Sequence, residues 1–350
     1  MPDTALPASS PPLIAGTIPL IDVADYLAGK PGAADEAAAK LRWAFEKVGF
    51  YYLAGHGVPQ ALIDSTYEQA SRFHDLPLAA KEALKVDEHN IGYLPVQRAP
   101  AGSPNAHRQP SQNEAYFLRR ERTPDDPAVR ENRRFHAMNK WPSADDLPGF
   151  RDATLAYIRT MEQLGLRLVP LYARALGLPD DFFAPAFRSP HLILRMSRYR
   201  SIAGEDGAES LVPHTDSGFM TLLPPNPVQG LAIQLPEGRW LDAPHVPGAY
   251  VVNGGDMLHR WTNERFLSTP HRVRNVSSGL RHAIPFFFDP GHEAMIECIP
   301  NAGPPKYPPI RMGDYAVWFA SKSYAHMEKV ETPPLEQIAP GARATMRWRD

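Results

Sequence analysis

The sequence predicts an α+β fold in which a helical N-terminal region precedes a β core and a last helix follows it. Three observations support this prediction. Apolar residues recur at helical spacing in the front third, short strand-like runs separated by Gly, Pro and Asn begin near residue 192, and a helical stretch follows Met312. Several short strands with such turns are typical of a β sandwich or barrel.

The N-terminal region is expected to alternate helices with one short strand. Helices are predicted at about 35–48, 59–74 and 150–176. Pro170 should kink the third helix, and Gly177 should end it. The aromatic run at 50–53 predicts a buried strand, and the Pro-, Ser- and Gly-rich segment at 97–112 predicts a loop.

The β core is predicted from runs of apolar residues bounded by turn residues. The expected strands are 192–200, 218–223, 231–235, 249–252, 272–276 and 281–289. The 38 prolines agree with many loops and strand edges, because proline cannot donate to a β ladder. The expected organisation is a flexible tail (1–17), a helical region (18–180), a β core (181–330) and a C-terminal tail (331–350).

Composition argues against several function classes. The 350 residues carry a net charge of −2, which does not suit a nucleic-acid partner, and no run is apolar and long enough to span a membrane. The N-terminus lacks the basic start and apolar stretch of a signal peptide. A single cysteine, Cys298, rules out an intramolecular disulfide and suits the reducing cytoplasm. The oligomeric state is left open.

One short motif points to metal chemistry. His214 and Asp216 are separated by one residue, so both side chains would lie on one face of an extended strand. With His271 they would supply two imidazoles and a carboxylate, a set that leaves open positions on Fe(II). His-x-Asp alone is a weak signal that also arises in polar turns. The pair His326 and Glu328, for example, is interpreted as a solvated helix face.

An arginine follows the second histidine by about one strand and one turn. Arg281 lies ten residues after His271, and its planar guanidinium can bind a carboxylate through two parallel hydrogen bonds. Taken alone it would be an ordinary salt-bridging residue. Three other histidines are interpreted as surface or supporting residues: His245, His259 and His282.

These residues belong to a larger set of motifs. The set comprises GFYY (49–52), GHGV (55–58), HTDSGF (214–219), VNGGDML (252–258), WTN (261–263), STPHRV (268–273) and IPFFFDP (284–290). In this set, and from about Ile18 to Met327, the chain resembles the isopenicillin N synthase-like branch of the Fe(II)/2-oxoglutarate-dependent dioxygenases. The resemblance implies a double-stranded β-helix, or jelly roll, with an N-terminal helical region and a C-terminal helix.

The resemblance also assigns roles to residues. It implies His214, Asp216 and His271 as the catalytic iron ligands and Arg281 as the anchor for the C5 carboxylate of 2-oxoglutarate. Tyr199 matches a tyrosine that precedes the metal motif, where it would donate a hydrogen bond near that carboxylate or simply form part of the barrel wall.

Two positions depart from the family pattern. Ala283 stands where many members carry a serine that contacts the 2-oxoglutarate carboxylate, and Ser197 stands where many carry asparagine. Ethylene-forming relatives resemble this chain in having alanine at the first position. One neutral hydrogen bond contributes roughly 0.5–1.5 kcal/mol, so its loss need not abolish cosubstrate binding.

The implied reaction uses Fe(II), 2-oxoglutarate and O2 to oxidise a small organic substrate, with hydroxylation the default outcome and succinate and CO2 as coproducts. Desaturation and ring closure are variants. The alternatives are an isopenicillin N synthase-type oxidase without 2-oxoglutarate, an ethylene-forming-type enzyme, a non-catalytic binder and a structural zinc protein. The substrate is not identified; the candidate pocket residues are Tyr93, Phe117, Leu231 and Phe287, and the 97–112 loop is a candidate cover.

Overall fold

A computed structural model of the chain describes residues 11–96, 113–199, 209–274 and 280–327, together with Val330 and Thr332. Its helices within these residues are α1 (Ala24–Leu27), α2 (Ala33–Lys47), α3 (Gln60–Asp75), α4 (Leu78–Glu82), α5 (Pro127–Arg130), α6 (Phe150–Ala175), α7 (Asp256–Trp261) and α8 (Met312–Ser323). Two 3-10 turns lie at Ala184–Phe187 and Ala325–Met327. The three predicted N-terminal helices are confirmed as α2, α3 and α6, each to within two residues.

The strands are short, as the turn-rich sequence predicts. They are β1 (Leu13–Ile14), β2 (Ile18–Asp22), β3 (Phe50–Ala54), β4 (Gly92–Leu94), β5 (Asn113–Arg119), β6 (His191–Tyr199), β7 (Glu209–His214), β8 (Met220–Leu223), β9 (Leu231–Gln234), β10 (Trp240–Asp242), β11 (Tyr250–Gly254), β12 (His271–Arg274), β13 (Arg281–Ala283), β14 (Phe286–Asp289), β15 (Met295–Ile296) and β16 (Ile310–Arg311).

Two facing sheets form the core of the described structure. The larger sheet has the order β1-β2-β3-β11-β8-β14-β6-β5-β4, with β13 pairing β6 beside β14. The smaller sheet has the order β10-β9-β12-β7. All of these pairs are antiparallel except β2 with β3, which is parallel. N-terminal strands therefore join the same sheet as the β core, and the division at residue 180 stays a prediction.

Apolar side chains hold the two sheets together. Phe50 and Tyr52 of the larger sheet share a buried cluster with Ile233 of the smaller sheet. Tyr199 and Ala283 of the larger sheet form a second cluster with Val273 of β12. Two sheets packed across such an interior form the predicted jelly roll, and the site described below lies between them.

Helices cover the outer face of the larger sheet. Buried residues of α2, α3 and α6 share the main hydrophobic core with the side chains of that face. Gly165 of α6 lies so close to Phe288 of β14 that an added Cβ would be 2.6 Å from the ring. Helix α6 continues through Pro170 and ends before Gly177, whose φ of +73° suits glycine and confirms the predicted end.

Four local predictions need correction or lie outside the described residues. The run predicted as one strand at 281–289 is two strands, because Pro285 cannot donate to the ladder; its carbonyl instead accepts from the backbone N–H of Arg195. Leu13 and Ile14, placed in a loose tail, form β1 against β2. The predicted loop at 97–112 and Glu328 lie outside the described residues.

Candidate metal centre

Two histidines face each other on adjacent strands of the smaller sheet. His214 ends β7, and its register partner on β12 is His271. The two ring centroids are 4.3 Å apart. Asp216 follows β7 by two residues, and its Oδ1 lies 3.8 Å from Nε2 of His271. One ligand atom from each of the three side chains lies within 4.8 Å of the others, so the three could hold one metal ion.

Backbone carbonyls orient both imidazoles. Nδ1 of His214 lies 2.9 Å from the carbonyl oxygen of Val212, and Nδ1 of His271 lies 3.3 Å from that of Thr269. A carbonyl can only accept, so each Nδ1 carries the proton and donates. Each Nε2 is therefore left with a free lone pair, the state in which a neutral histidine binds a metal.

The Asp216 carboxylate is oriented in the same way. Its Oδ2 accepts hydrogen bonds from Thr221 Oγ1 at 2.6 Å and from Asn253 Nδ2 at 2.7 Å. Thr221 lies on β8, and Asn253 lies on its neighbour β11, so the larger sheet provides both donors. With Oδ2 occupied, Oδ1 remains for the ion beside His271.

The backbone after His214 is held by the start of α7. The N–H groups of Asp256 and Met257 donate to the carbonyls of Asp216 and Ser217 at 2.8 and 3.2 Å. This approach requires glycine at position 255, where an added Cβ would lie 2.7 Å from the Asp216 carbonyl oxygen. The Gly-Gly-Asp sequence therefore packs the loop that carries Asp216 against the first turn of α7.

The corner between α2 and β3 positions His271. Thr269 donates from its hydroxyl to the carbonyl of Val48 at 2.7 Å. Gly49, at a φ of +75°, leaves room for this contact, since an added Cβ would be 2.1 Å from Thr269 Oγ1. Phe50 then meets the His271 ring edge-on, with centroids 5.5 Å apart. The GFYY motif thus supports the second histidine.

The protonation states suit metal binding. Burial, followed by the neighbouring His271, lowers the pKa of His214 to about 3, which keeps its imidazole neutral. Burial alone would raise the pKa of Asp216, but His271, His214 and the hydrogen bonds from Asn253 and Thr221 outweigh it and lower the pKa. A carboxylate and a neutral imidazole need not lose protons before they bind an ion.

This donor set fits Fe(II). Two imidazoles and one carboxylate on one side of an ion leave coordination positions free for other ligands, the arrangement of non-haem Fe(II) oxygenases. A structural zinc site would instead close its fourth position with another protein ligand. Within the described residues, no other group of three His, Cys, Asp or Glu side chains comes close enough to hold an ion.

Arg281 lies on the inner face of the larger sheet, near this centre. Its register partner on β6 is Tyr199, and its guanidinium carbon lies 5.2 Å from the centre of that ring. Nε donates to the carbonyl of Val228, whereas the buried Nη1 has no hydrogen-bond partner among the described residues. An unpartnered guanidinium nitrogen fits a carboxylate such as that of 2-oxoglutarate.

The two departures from the family pattern lie opposite each other. Ala283 of β13 pairs with Ser197 of β6, on the same face as Arg281 and Tyr199. The Ser197 hydroxyl is buried without a hydrogen-bond partner among the described residues. This strand face therefore lacks a hydroxyl at 283 and carries an unused one at 197.

The four candidate pocket residues do not lie together in the structure. Phe287 pairs with Thr221, whose hydroxyl bonds to Asp216, so it lies beside the metal centre. Phe117 lies on the same inner face but three strands from Thr221, where its ring packs against Tyr324. Leu231 pairs with Val273 on the smaller sheet and packs into the interface between the sheets. Tyr93 is not brought together with them. Its hydroxyl donates to Glu114 on the helix-covered face of the larger sheet.

Other histidines lie away from the three candidate ligands. His282 pairs with Arg198 on the helix-covered face of the larger sheet, and its ring lies 6.1 Å from that of His74. The side chain of His259 in α7 bonds through Nδ1 to the carbonyl of Phe266. Sequence reasoning missed the supporting donors Thr221 and Asn253. Asn253 stands in the VNGGDML motif, which was the available signal.

Comparison with known proteins agrees with this geometry. The family described as the non-haem dioxygenase in morphine synthesis N-terminal region matches residues 18–144, and the 2OG-Fe(II) oxygenase superfamily matches residues 190–290. The Emericella nidulans protein hxnY, described as a 2-oxoglutarate-Fe(II) type oxidoreductase, is 32% identical over 323 residues, which are 89% of this chain and 91% of hxnY.

Solved structures are similar over the same span. A full-length Neurospora crassa protein in complex with alpha-KG (2-oxoglutarate) and thymine is 28% identical, with a TM-score of 0.79 over 88% of this chain and 97% of that chain. JOX2 in complex with 2OG, Fe and JA is 26% identical, with a TM-score of 0.72 over 93% of this chain and 92% of that chain.

Fold and metal centre together define a non-haem iron enzyme built on a jelly roll. The chain belongs to the 2OG-Fe(II) oxygenase superfamily, in its isopenicillin N synthase-like class. It is a dioxygenase whose cofactor is Fe(II) and whose cosubstrates are 2-oxoglutarate and O2. None of its described helices is both long and apolar enough to cross a membrane.

Proposed function

We propose that His214, Asp216 and His271 hold the Fe(II) ion, that Arg281 anchors the C5 carboxylate of 2-oxoglutarate, and that the enzyme hydroxylates a small organic substrate. One observation carries this proposal. The three side chains bring one ligand atom each within 4.8 Å of one another, and their remaining polar atoms are already bound to the protein.

The protein's contribution is to orient ligands and shape the pocket. Val212 and Thr269 keep each Nε2 of the two histidines unprotonated, while Thr221 and Asn253 fix the Asp216 carboxylate. When bound, the iron with 2-oxoglutarate and O2 supplies the oxidising chemistry, with succinate and CO2 as coproducts. Arg281 donates to the far end of the cosubstrate and so sets the direction in which it lies.

The apolar interior supports a small-molecule substrate. Phe287 lies beside Thr221, and Phe117 is the register partner of Arg195 on the neighbouring strand. The Phe287 ring offers a flat apolar surface next to the metal centre, where an organic molecule could be held while bulk water is excluded. An oxygenase needs this arrangement because stray solvent would compete with the substrate.

The test is to follow both halves of the reaction. The iron-loaded enzyme is incubated with 2-oxoglutarate, labelled O2 and a metabolite library, and succinate and substrate products are measured by mass spectrometry. We expect succinate release coupled to a product that has gained one labelled oxygen atom. A product formed without 2-oxoglutarate would contradict the proposed role of Arg281, and a desaturated product without added oxygen would contradict hydroxylation.

A further inference from the structure

An arginine on the inner face of the larger sheet lacks a counter-charge. Arg195 lies on β6, opposite Phe117 of β5, and its guanidinium carbon is 5.4 Å from the centre of that ring. Its Nε is buried and has no hydrogen-bond partner among the described residues. No carboxylate in the described part of the chain forms an ion pair with it, and its guanidinium packs against the face of that aromatic ring.

A second arginine on the same strand, in contrast, is paired with carboxylates. Arg198 lies on the opposite face of β6, where Glu114 accepts from its Nε at 2.8 Å and Asp75 from its Nη1 at 2.8 Å. Because residues an odd number apart on a strand point to opposite faces, these carboxylates lie behind the sheet. They satisfy Arg198 and are not available to Arg195.

Arg195 points toward the metal centre. Ile193, two residues earlier and on the same face, pairs with Phe287, and Phe287 pairs with Thr221, whose hydroxyl holds Asp216.

The position of Arg195 differs from that of the proposed cosubstrate anchor. Arg281 pairs with Tyr199, four residues further along β6, which corresponds to roughly 13 Å of extended strand. The Ser197 hydroxyl lies between these two positions on the same face, also buried and without a partner among the described residues. Two unused donors, Arg195 and Ser197, thus lie in one row on the inner face, with Arg195 at the end of the row away from Arg281.

A guanidinium that has no counter-charge and whose Nε is buried without a partner is costly, and binding sites are where such groups persist, because the ligand supplies the missing charge. We propose that Arg195 binds a carboxylate of the organic substrate, so that this oxygenase acts on an organic acid whose apolar body lies against Phe287. This inference rests on the proposed function and names the substrate class for the same site.

A carboxylate near the iron could come from two sources, the substrate or the C1 end of 2-oxoglutarate. Two variants distinguish them: Arg195→Met, which removes the charge, and Arg195→Lys, which keeps it without the planar fork. The exposed Arg188→Met serves as the matched control. Each protein is loaded with Fe(II) without oxygen and titrated with 2-oxoglutarate, and the midpoint of the charge-transfer absorption band is recorded.

The substrate arm uses phenylacetate and a panel of aryl and alkyl monocarboxylates, each beside its neutral primary amide. Binding to the iron- and 2-oxoglutarate-loaded protein is measured from the rise in Tm and the change in the absorption band. We expect the wild type to bind at least one acid about tenfold more tightly than its amide. Arg195→Met should weaken binding of that acid by on the order of 100-fold and leave binding of the amide nearly unchanged. Arg195→Lys should bind the acid with an affinity between those of the wild type and Arg195→Met.

The possible results distinguish failure of this proposal from failure of the proposed function. A loss of 2-oxoglutarate binding in Arg195→Met would assign the residue to the cosubstrate and overturn the proposal. The proposal would also be overturned if no acid bound the wild type, if amides bound as tightly as acids, or if Arg195→Met bound acids with wild-type affinity. A wild type that forms no band with 2-oxoglutarate would instead contradict the proposed function.

Discussion

The side-chain amide of Asn253 donates to Oδ2 of Asp216, with the two atoms 2.7 Å apart. This hydrogen bond crosses from the larger sheet to the loop that follows β7. Together with the bond from Thr221 it decides which carboxylate oxygen faces the two histidines. The geometry of the centre thus depends on residues that would not themselves bind the metal.

Replacing Asn253 with alanine should therefore weaken Fe(II) binding. Loss of such a supporting hydrogen bond typically reduces metal affinity by about 10- to 100-fold. Titration of the metal-free protein with Fe(II) under anaerobic conditions measures the change. The control is Asn301→Ala. This variant removes a hydrogen bond of the same 2.7 Å length, from the Asn301 amide to the carbonyl of Leu176, that does not involve the candidate ligands. Equal iron affinity in wild type and Asn253→Ala would show that Thr221 alone orients Asp216.

Arg281→Leu should raise the KM for 2-oxoglutarate strongly, because it leaves a carboxylate unpaired in the pocket. Removing one partner of a buried charge pair costs on the order of 3–5 kcal/mol, which corresponds to a factor of 100 or more. Succinate formation as a function of 2-oxoglutarate concentration gives the KM. The exposed Arg239→Leu is the control, and an unchanged KM in Arg281→Leu would mean that the cosubstrate lies elsewhere.

Ala283→Ser should lower the KM for 2-oxoglutarate several-fold while leaving iron affinity unchanged. The new hydroxyl would stand on the same strand face as Arg281, where a hydrogen bond to a charged carboxylate contributes about 1.5–3 kcal/mol before crowding is subtracted. Ser197 lies directly opposite and could capture the hydroxyl instead. A double variant with Ser197→Ala tests this, and no gain in either protein would rule out contact between residue 283 and the cosubstrate.

Asp289 should make the metal-free protein less stable as the pH rises. Burial, reinforced by the charge of Asp216, raises the pKa of this carboxyl to about 7, although the N–H of Phe219 bonds to it. In the unfolded chain the Asp289 carboxyl ionises at about pH 4. The free-energy cost of folding with this group buried therefore grows between about pH 4 and 7 and then levels off.

Asp289→Asn removes this penalty and keeps an oxygen for the Phe219 N–H. Its free energy of unfolding should match the wild type near pH 4 and exceed it at pH 8, by up to about 4 kcal/mol. Denaturant unfolding of the metal-free proteins at several pH values measures the difference. Exposed Asp181→Asn is the control. A constant difference between Asp289→Asn and wild type across this range would show that Asp289 is ionised throughout.

The sequence allowed the four longest described helices (α2, α3, α6 and α8), eight of the sixteen described strands and three candidate ligands to be predicted, because periodic apolar residues and local motifs encode them. Strand pairing was harder to predict. Tyr93 lies on a three-residue strand, and only its register opposite Tyr116 decides that it faces the helices. In the same way, Arg195 and Arg198 look equivalent in sequence. Their difference depends on which face of β6 meets Glu114, a residue 84 positions from Arg198.

Two elements that support the centre, β7 and α7, could not be predicted from local sequence patterns. β7, which carries His214, contains Pro213 and shows no apolar alternation, so its strand character depends on pairing with β12. Helix α7 has only six residues, too few for a helical period to be visible. Its function is to donate backbone N–H groups to the loop that carries Asp216.

The most direct test of the account is an anaerobic titration of the metal-free enzyme with Fe(II) and 2-oxoglutarate, followed by the charge-transfer absorption of the complex. The wild type should give a saturable band at one iron per chain. His214→Ala, Asp216→Ala and His271→Ala should each lose that band while keeping the circular dichroism of the folded protein. A His271→Ala protein that bound iron and 2-oxoglutarate with wild-type affinity would contradict the proposed metal centre.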